Sequence, residues 1–190
     1  DIEKSRQLAD HFSTKKDKVY VAIDNTFMGP VFSHPIDHGA DVVLYSATKY
    51  IGGHSDLVAG AACGSNEVIS RIKTLRVFMG NMASPFTSWL ILRSLETLKL
   101  RMEKSAENAN KIAEKLKSHK NVDKVHYLGL VSKDSPEYEI IQKQYSSPGG
   151  MISFDVKGGE KEAFKFLDNL NLVKLAVSLG CLLYTSPSPR

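Results

Sequence analysis

Two short apolar runs lie close together in the first quarter of the chain, and their spacing limits the folds that the chain can adopt. Residues 19–23 form a β-branched apolar run that ends at Asp24, and residues 41–45 form a second run. Continuous apolar runs of this length are typical of strands buried on both faces of a parallel sheet. Pro35 and Gly39 bracket a turn of helix between them. Strand, helical linker and strand together predict a βαβ unit in an α/β fold with a mostly parallel sheet.

Further elements follow through the first half of the chain. They are, in order, a surface helix over residues 1–17, a third strand over 57–63 and a helix over 67–79. Ser84-Pro85 then supplies an N-cap followed by proline at the first helical position. Apolar residues recur from there without a helix breaker, which predicts one long amphipathic helix, or two nearly collinear helices, over about 84–117.

The second half of the chain predicts a smaller α+β unit. Its predicted elements are strands at 122–127, 151–156 and 172–177 and helices at 138–145 and 160–170. We expect the long helix to span a domain junction and place the boundary near Arg93, with a large-domain portion over 1–93 and the start of a small domain over 94–180. Residues 181–190 lack periodicity and contain two Ser-Pro pairs, so we expect a non-native tail there. Because Asp1 is not an initiator Met, the chain is expected to be a fragment.

Composition excludes several classes of protein. The chain has 25 Lys and Arg against 21 Asp and Glu, a net charge of +4 without a basic stripe, so nucleic acid is not an expected partner. No apolar run approaches the roughly 18 residues of a membrane span. Residues 1–16 show no signal peptide, which makes the cytoplasm the expected compartment. The two cysteines, Cys63 and Cys181, cannot build a disulfide framework.

One pair of charged residues carries the expected chemistry. Asp24 follows the first predicted strand, and Lys49 lies four residues past the second. Ligands of open parallel sheets sit outside the carboxyl ends of the strands, so both side chains can reach one crevice, although an ordinary ion pair remains an alternative. Ser46 and Thr48 add hydroxyl groups beside the lysine, which suit an anionic cofactor group, although they can equally satisfy backbone groups at a strand end.

A lysine held in such a site can act as a nucleophile towards a carbonyl group. Pyridoxal phosphate requires the parts collected here: an amine for a Schiff base, a carboxylate that keeps the pyridine nitrogen protonated, and donors for the phosphate. We therefore predict a pyridoxal phosphate site that includes Lys49, Asp24, Ser46 and Thr48. No metal site is expected.

A longer stretch around the lysine carries a family resemblance. Residues 41–55, Asp-Val-Val-Leu-Tyr-Ser-Ala-Thr-Lys-Tyr-Ile-Gly-Gly-His-Ser, resemble the cofactor-attachment pattern of the Cys/Met-metabolism pyridoxal phosphate enzymes, which include cystathionine γ-lyase and methionine γ-lyase. Further agreement lies at residues 22–27, 95–102, 147–151 and 177–180. The resemblance covers residues 1 to about 180.

The resemblance implies both a fold and roles for residues. It implies an aspartate-aminotransferase-like, fold-type I large-domain portion followed by part of a small α+β domain. It also implies that Lys49 carries the cofactor, that Asp24 holds the pyridinium, and that Ser46 and Thr48 bind the phosphate. Ser178 corresponds to a serine near the substrate carboxylate.

The resemblance further implies a carbon–sulfur lyase that acts on a small amino-acid substrate, by γ-elimination on methionine or cystathionine. Alternatives are a γ-synthase or other γ-replacement enzyme, a cystathionine β-lyase, and an inactive relative that serves as an interaction module. It also implies a homotetramer built from dimers, and no membrane or nucleic-acid partner. Several family residues that bind cofactor and substrate are absent from this chain, so we expect the 190 residues alone to be inactive.

Three local patterns suggest other chemistry. Ser46-Ala-Thr-Lys49 also spells the Ser-x-x-Lys motif of penicillin-binding proteins, but that motif opens a helix and its companion motifs are absent here. His34 and His38 have the spacing of zinc ligands, without a third ligand at a convincing spacing. His54 lies too close in sequence to Ser46 for a good catalytic triad, so we expect it to be an ordinary loop histidine.

Overall fold

The computed structural model describes residues 1–176 and 178–181 of the chain. Its first sheet has three strands in the order β1-β2-β3, with β1 at Ala22–Asp24, β2 at Val42–Ser46 and β3 at Gly60–Gly64. The strands β1 and β2 pair in parallel, as the βαβ pattern predicts, whereas β3 pairs antiparallel to β2. This part of the chain is therefore a mixed α/β structure.

The first strand is less buried than its apolar sequence predicts. Ala22 and Asp24 are exposed and Ile23 is half-buried, so the expectation of burial on both faces is wrong for β1. In the described part of the chain β1 has β2 as its only neighbouring strand. The central strand β2 is the more buried of the two, since its Val43 is only 2 % exposed.

The connection between β1 and β2 contains the predicted helical turn. A short helix, α2 at Gly29–Phe32, is followed by a 3₁₀ turn at Pro35–His38. Gly39 ends this turn in the left-handed region, with φ of 94°, and its N–H donates to the carbonyl of Ile36 at 3.1 Å. Glycine fits this position because it lacks the Cβ that makes positive φ unfavourable. The turn returns the chain to the start of β2.

Helices cover the sheet and lead away from it. The predicted amino-terminal helix is α1 at Ile2–Phe12, and α3 occupies Asn66–Met79. The predicted long helix forms as two helices, α4 at Pro85–Leu95 and α5 at Leu98–Lys117, and Ser84 caps α4 as its sequence indicates. Not every apolar residue of α5 faces inward, because Ala113 is fully buried while Ile112 is 50 % exposed.

The second half of the described chain forms a smaller two-stranded unit. It contains β4 at Val122–His126, a 3₁₀ turn at Leu128–Leu130, α6 at Pro136–Gln144, β5 at Ser153–Val156 and α7 at Glu160–Asp168. Strands β4 and β5 pair antiparallel. The predicted strand at 172–177 does not form over 172–176, where no neighbouring strand pairs with it and Leu172 is 93 % exposed. A strand needs such a partner for its backbone hydrogen bonds.

Two sequence expectations fall partly outside the described residues. Val177, the last residue of the strand predicted at 172–177, is not described. Of the predicted tail at 181–190, only Cys181 is described. Among the described helices, none is long and apolar enough to cross a membrane.

Candidate active site at the ends of two parallel strands

Asp24 and the segment that carries Lys49 lie at one edge of the first sheet. Asp24 is the last residue of β1 and lies opposite Leu44 of β2 in the register. Ser46 ends β2, and Lys49 follows three residues later in a turn. Because the two strands are parallel, their carboxyl ends share this edge. The sequence-based placement of Asp24 beside the segment that carries the lysine therefore agrees with the described backbone.

A threonine that the sequence analysis did not single out connects Asp24 to the end of β2. Oδ1 of Asp24 accepts hydrogen bonds from the backbone N–H of Thr26 at 3.0 Å and from its hydroxyl at 2.6 Å. Oγ1 of Thr26 in turn accepts from the backbone N–H of Ser46 at 2.8 Å. Aspartate and threonine favour such local turns, and this one orients the carboxylate. The Asp24 carboxylate itself is exposed.

A buried asparagine holds the loop that follows β1. Asn25 is 4 % exposed, and its amide nitrogen donates to the carbonyls of Gly29 at 2.9 Å and Ser33 at 3.1 Å. Its backbone N–H extends the parallel ladder by donating to Leu44 at 2.9 Å. The residue beside Asp24 is thus fixed by hydrogen bonds to both the sheet and the α2 region, which restricts the loop that carries Asp24.

The turn that carries Lys49 is closed by its own backbone and packed from below. The N–H of Lys49 donates to Ser46 at 3.0 Å, and the N–H of Gly53 donates to Lys49 at 2.8 Å. Ala47 is fully buried in a cluster with Phe32, Ile51, Leu98, Met102 and Ala106. Because three of these residues belong to α5, the helix supports the lysine turn from the interior.

The lysine amine has a neutral hydrogen-bond partner. Nζ of Lys49 donates to the hydroxyl of Ser178 at 3.2 Å, across 129 positions of sequence. The segment 178–180 passes close to the turn, because a Cβ on Gly180 would lie only 2.7 Å from the backbone nitrogen of Tyr50. Within the described part of the chain, Lys49 makes no ion pair with a carboxylate. The geometry thus brings together two residues that the sequence analysis proposed separately.

The two predicted phosphate ligands differ in what their hydroxyl groups can do. The Thr48 hydroxyl donates to the carbonyl of Ala59 at 3.2 Å and accepts from the N–H of the same residue at 3.0 Å. The single proton of this hydroxyl is therefore already donated to the carbonyl of Ala59, just before β3. This contact agrees with the alternative of a structural role at a strand end. The Ser46 hydroxyl makes no hydrogen bond to any described residue, so it is free to donate to an anion.

A second residue that the sequence analysis missed lies under the turn. The guanidinium of Arg101 on α5 donates to the carbonyls of Tyr50 at 2.6 Å and Ile51 at 3.1 Å. Burial lowers the pKa of Arg101. Arg101 lies within residues 95–102, one of the stretches that resemble the family. This resemblance was the only indication in the sequence that Arg101 belongs near the site.

The other candidate motifs have ordinary structural contacts. Nδ1 of His54 donates to the carbonyl of Gly52 at 2.8 Å, as expected for a loop histidine. His34 contacts the carbonyl of Pro30, and His38 contacts Glu3 on α1. Across residues 1–176 and 178–181, no three His, Cys, Asp or Glu side chains are grouped as metal ligands. Ser46 closes a strand, which is not the position of serine in a Ser-x-x-Lys hydrolase.

Two grooves elsewhere in the described chain do not include the predicted site residues. A groove of about 710 Å³ lies between α2, α5 and the segment 146–148, and one of about 470 Å³ lies between α7 and the second sheet. Neither is lined by Asp24 or Lys49. The groups at the strand edge are a carboxylate, a primary amine and a hydroxyl donor. These match a cationic ring nitrogen, an aldehyde and a phosphate, so the residues present fit pyridoxal phosphate.

Similar proteins have this fold and share much of this sequence. The crystal structure of cystathionine gamma-lyase from yeast superposes with a TM-score of 0.89 at 44 % identity, over 95 % of this chain and 46 % of that one. L-methionine gamma-lyase of Porphyromonas gingivalis is 44 % identical over 87 % of this chain and 42 % of its own length. Cystathionine beta-lyase of Lactococcus lactis is 49 % identical over 83 % of this chain and 41 % of its own length.

The fold and the lysine at the strand edge place the chain among the fold-type I pyridoxal phosphate-dependent enzymes. The chain spans less than half the length of these relatives. The model of one family, the Cys/Met metabolism PLP-dependent enzymes, matches residues 1–185. The chain belongs to this family, and the family implies pyridoxal phosphate as the cofactor.

Proposed function

We propose that the protein containing this chain is a carbon–sulfur lyase of sulfur amino-acid metabolism, which performs γ-elimination on methionine or cystathionine. The observation that carries the proposal is the position of Lys49: it lies in the turn after β2, the strand that pairs in parallel with β1, and its amine has the neutral Ser178 hydroxyl as its partner. An amine without a carboxylate partner is available for covalent chemistry.

Each site residue has a proposed role that follows from its chemistry. Asp24, restrained by Thr26, pairs with the protonated ring nitrogen of the cofactor. Ser46 donates to the phosphate, and Thr48 does so only by giving up its bond to Ala59. When bound, the cofactor supplies an electron sink for charge that develops at the substrate α-carbon. The Asp24 carboxylate stabilises the protonated ring that accepts this charge.

Lys49 and Ser178 have roles on the substrate side. When it is not bonded to the cofactor, Nζ of Lys49 would take the proton from the substrate α-carbon as a general base. Ser178 contacts that same nitrogen and is proposed to hold the substrate carboxylate with its hydroxyl. The contact keeps the base and the carboxylate-binding group adjacent, so a bound amino acid would present its α-proton to Nζ.

A second candidate reaction is supported by the identity of the relatives. The cystathionine beta-lyase is 49 % identical to this chain and the methionine gamma-lyase 44 %, so similarity does not separate β- from γ-elimination. A γ-synthase uses the same first steps and replaces the leaving group with a nucleophile. A non-enzymatic interaction module is the remaining alternative, and it gives no reason for a lysine amine without a carboxylate partner in the turn that follows β2.

Assembly and compartment are proposed on the same basis. We infer a homotetramer built from dimers and an amino-acid substrate from the family resemblance, and we propose a cytoplasmic location. Sedimentation of the full-length protein would test the first of these. A dimer or monomer at micromolar concentration would contradict it.

Borohydride trapping tests the site assignment. The full-length protein is loaded with pyridoxal phosphate, the ε-amine condenses with the aldehyde and releases water, and borohydride reduces the resulting C=N bond to a stable secondary amine. We expect the modified peptide to carry the label on Lys49. A label on another lysine, or none, would refute the proposal.

Product analysis then separates the two lyase reactions. With cystathionine, γ-elimination yields cysteine, 2-oxobutyrate and ammonia, whereas β-elimination yields homocysteine, pyruvate and ammonia. We expect 2-oxobutyrate to predominate. Pyruvate as the main keto acid would establish the β-lyase instead, with Lys49 unchanged in its role.

A further inference from the structure

We propose that Arg101 is a positioning residue for Lys49. Its guanidinium holds the turn that carries Lys49 to the junction between α4 and α5. The inference rests on the proposed function, because it concerns how readily the Lys49 amine captures the cofactor. Arg101 belongs to α5 and is half-buried beneath the turn.

The guanidinium bridges two separate segments of backbone. On one side, Nη1 and Nη2 donate to Tyr50 and Ile51, the two residues that follow Lys49. On the other side, Nη2 donates to the carbonyl of Ser94 at 2.9 Å, and Nε donates to the hydroxyl of Thr97 at 3.1 Å. The planar fork of arginine can make these bonds together, whereas a lysine ammonium is a single point of attachment.

The turn is shaped to admit this side chain. Gly53 has φ of 75°, and a Cβ at this position would overlap Nη1 of Arg101. The N–H of Gly53 also closes the turn by donating to the carbonyl of Lys49. The residue that leaves room for the guanidinium is therefore the one that completes the backbone ring around Lys49.

The contacts of Arg101 are directed at backbone carbonyls rather than at an acidic partner. No described carboxylate forms an ion pair with it, so the carbonyls of the turn and of Ser94 are its main stabilising contacts. Removing the guanidinium leaves three carbonyls without these donors and frees the turn to shift relative to α5. A displacement of about 1 Å at a reacting group can lower a rate by about a hundredfold.

The test compares covalent capture with non-covalent binding in the full-length, cofactor-free protein. Capture is followed as the rate at which pyridoxal phosphate becomes fixable to Lys49 by borohydride. Non-covalent binding is measured as the affinity for pyridoxine phosphate, which has the ring and the phosphate but no aldehyde. The variants are Arg101→Met, Arg101→Lys and Gly53→Ala, and the matched control is Arg93→Met, at an exposed arginine of α4.

We expect Arg101→Met to slow capture about tenfold or more, with a change of less than about threefold in affinity for pyridoxine phosphate. Gly53→Ala should act in the same direction by displacing the guanidinium, Arg101→Lys should recover little, and Arg93→Met should match the wild type. Unchanged capture in Arg101→Met, or an equal loss of capture and pyridoxine phosphate affinity, would overturn the inference, because the residue would then have no effect or only a general structural one.

Two further outcomes separate failure of the inference from failure of the proposed function. If Arg101→Met does not fold, the same comparison in Arg101→Lys and Gly53→Ala decides, and normal capture in both overturns the inference. If the wild type itself places no label on Lys49, the proposed function fails and the inference fails with it. A wild type that labels normally beside variants that also label normally refutes the role of Arg101 alone.

Discussion

The two sheets of the chain hold their polar residues in different ways. At the edge of the first sheet, side chains bind backbone groups far away in sequence: Arg101 reaches Tyr50 across 51 positions, and Thr26 reaches Ser46 across 20. In the second sheet the comparable pair is His126 and Asp155, which contact each other across β4 and β5 at 2.9 Å, with both side chains about half exposed.

The difference shows where irregular backbone has been stabilised. The first sheet ends in a turn that three side chains hold: Thr26 binds the N–H of Ser46, Arg101 binds the carbonyl of Tyr50, and the Thr48 hydroxyl binds the backbone of Ala59. The turn therefore holds its shape outside regular secondary structure. The strands of the second sheet pair with each other in an antiparallel ladder, with an irregularity between Val122 and Lys124, and their polar side chains are exposed. A site requires the first arrangement, since reacting groups must be held in place.

Replacing a lysine in each region should give the largest contrast. Lys49→Ala removes the amine that we assign to cofactor capture and proton transfer, so we expect elimination activity to fall about a thousandfold or more. Lys157→Ala, which removes an exposed lysine bound to the Lys120 carbonyl beside the second sheet, should leave activity near the wild-type value. Keto-acid formation measures both. Similar activity in the two variants would remove the functional distinction between the sheets.

The anionic anchor at the start of β2 should contribute most to stability. Asp41 accepts from Arg6 and Lys18 at 2.7 Å each and from the N–H of Val21 at 2.8 Å. Asp41→Asn should therefore lower the free energy of unfolding by about 2 kcal/mol. Asp123→Asn, at an exposed position of β4, should change it by less than about 0.5 kcal/mol. Denaturant unfolding measures both.

The effect of Asp41 should also depend on pH. Burial acts to raise the pKa of Asp41, but the hydrogen bonds from Lys18 and Val21 and the nearby positive charges outweigh it, so the pKa lies below its ordinary value. A depressed pKa in the folded state adds stability above the unfolded pKa of about 3.9, and this stability is lost as the pH falls through the folded pKa. The advantage of the wild type over Asp41→Asn should therefore shrink in acid, and an advantage that grows there would contradict this account.

Loss of the Thr26 hydroxyl should have a smaller effect, confined to the site. Thr26→Val leaves the N–H of Ser46 without its acceptor and removes one of the two hydrogen bonds to Oδ1 of Asp24, which costs about 1 kcal/mol. We expect cofactor affinity to fall about fivefold. Thr74→Val removes a hydroxyl that binds a carbonyl within α3 and is the matched control. Equal affinity in the two variants would show that Thr26 does not orient Asp24.

The smallest effect is expected for the exposed pair of the second sheet. His126→Ala should change the free energy of unfolding by less than about 0.5 kcal/mol near neutral pH, because solvent screens a pair with both partners exposed. Thermal or denaturant unfolding measures this change. A loss above about 1 kcal/mol would mean that the second sheet is also held by a specific polar contact.

Local patterns predicted much of the fold. The Ser84-Pro85 start of α4, the turn between Pro35 and Gly39 and the parallel pairing of β1 with β2 are confirmed. These predictions succeed because capping, turn chemistry and short apolar runs act over a few residues. The strand predicted at 172–177 fails over 172–176, because the same apolar residues form a strand only if another strand is available to pair.

The site was predictable to a similar extent. The resemblance around Lys49 placed Asp24, Ser46 and Thr48 near one another, but it did not indicate that the Thr48 hydroxyl is bound to Ala59. The buried face of α5 was also missed, because alanines at 106, 109 and 113 contribute little to an apolar pattern and are buried only by close packing. Such contacts depend on distances between segments, which sequence spacing does not contain.

By itself, the sequence determined which chemical groups are present and which short segments become strands, helices and turns, because these follow from side-chain chemistry and local backbone preference. Only the tertiary structure decided that Ser178 meets the Lys49 amine across 129 positions and that Arg101 fastens the turn beside it. The physical reason is that a hydrogen bond between distant segments forms only after packing has brought their backbones within about 3 Å, and that packing is a property of the whole fold.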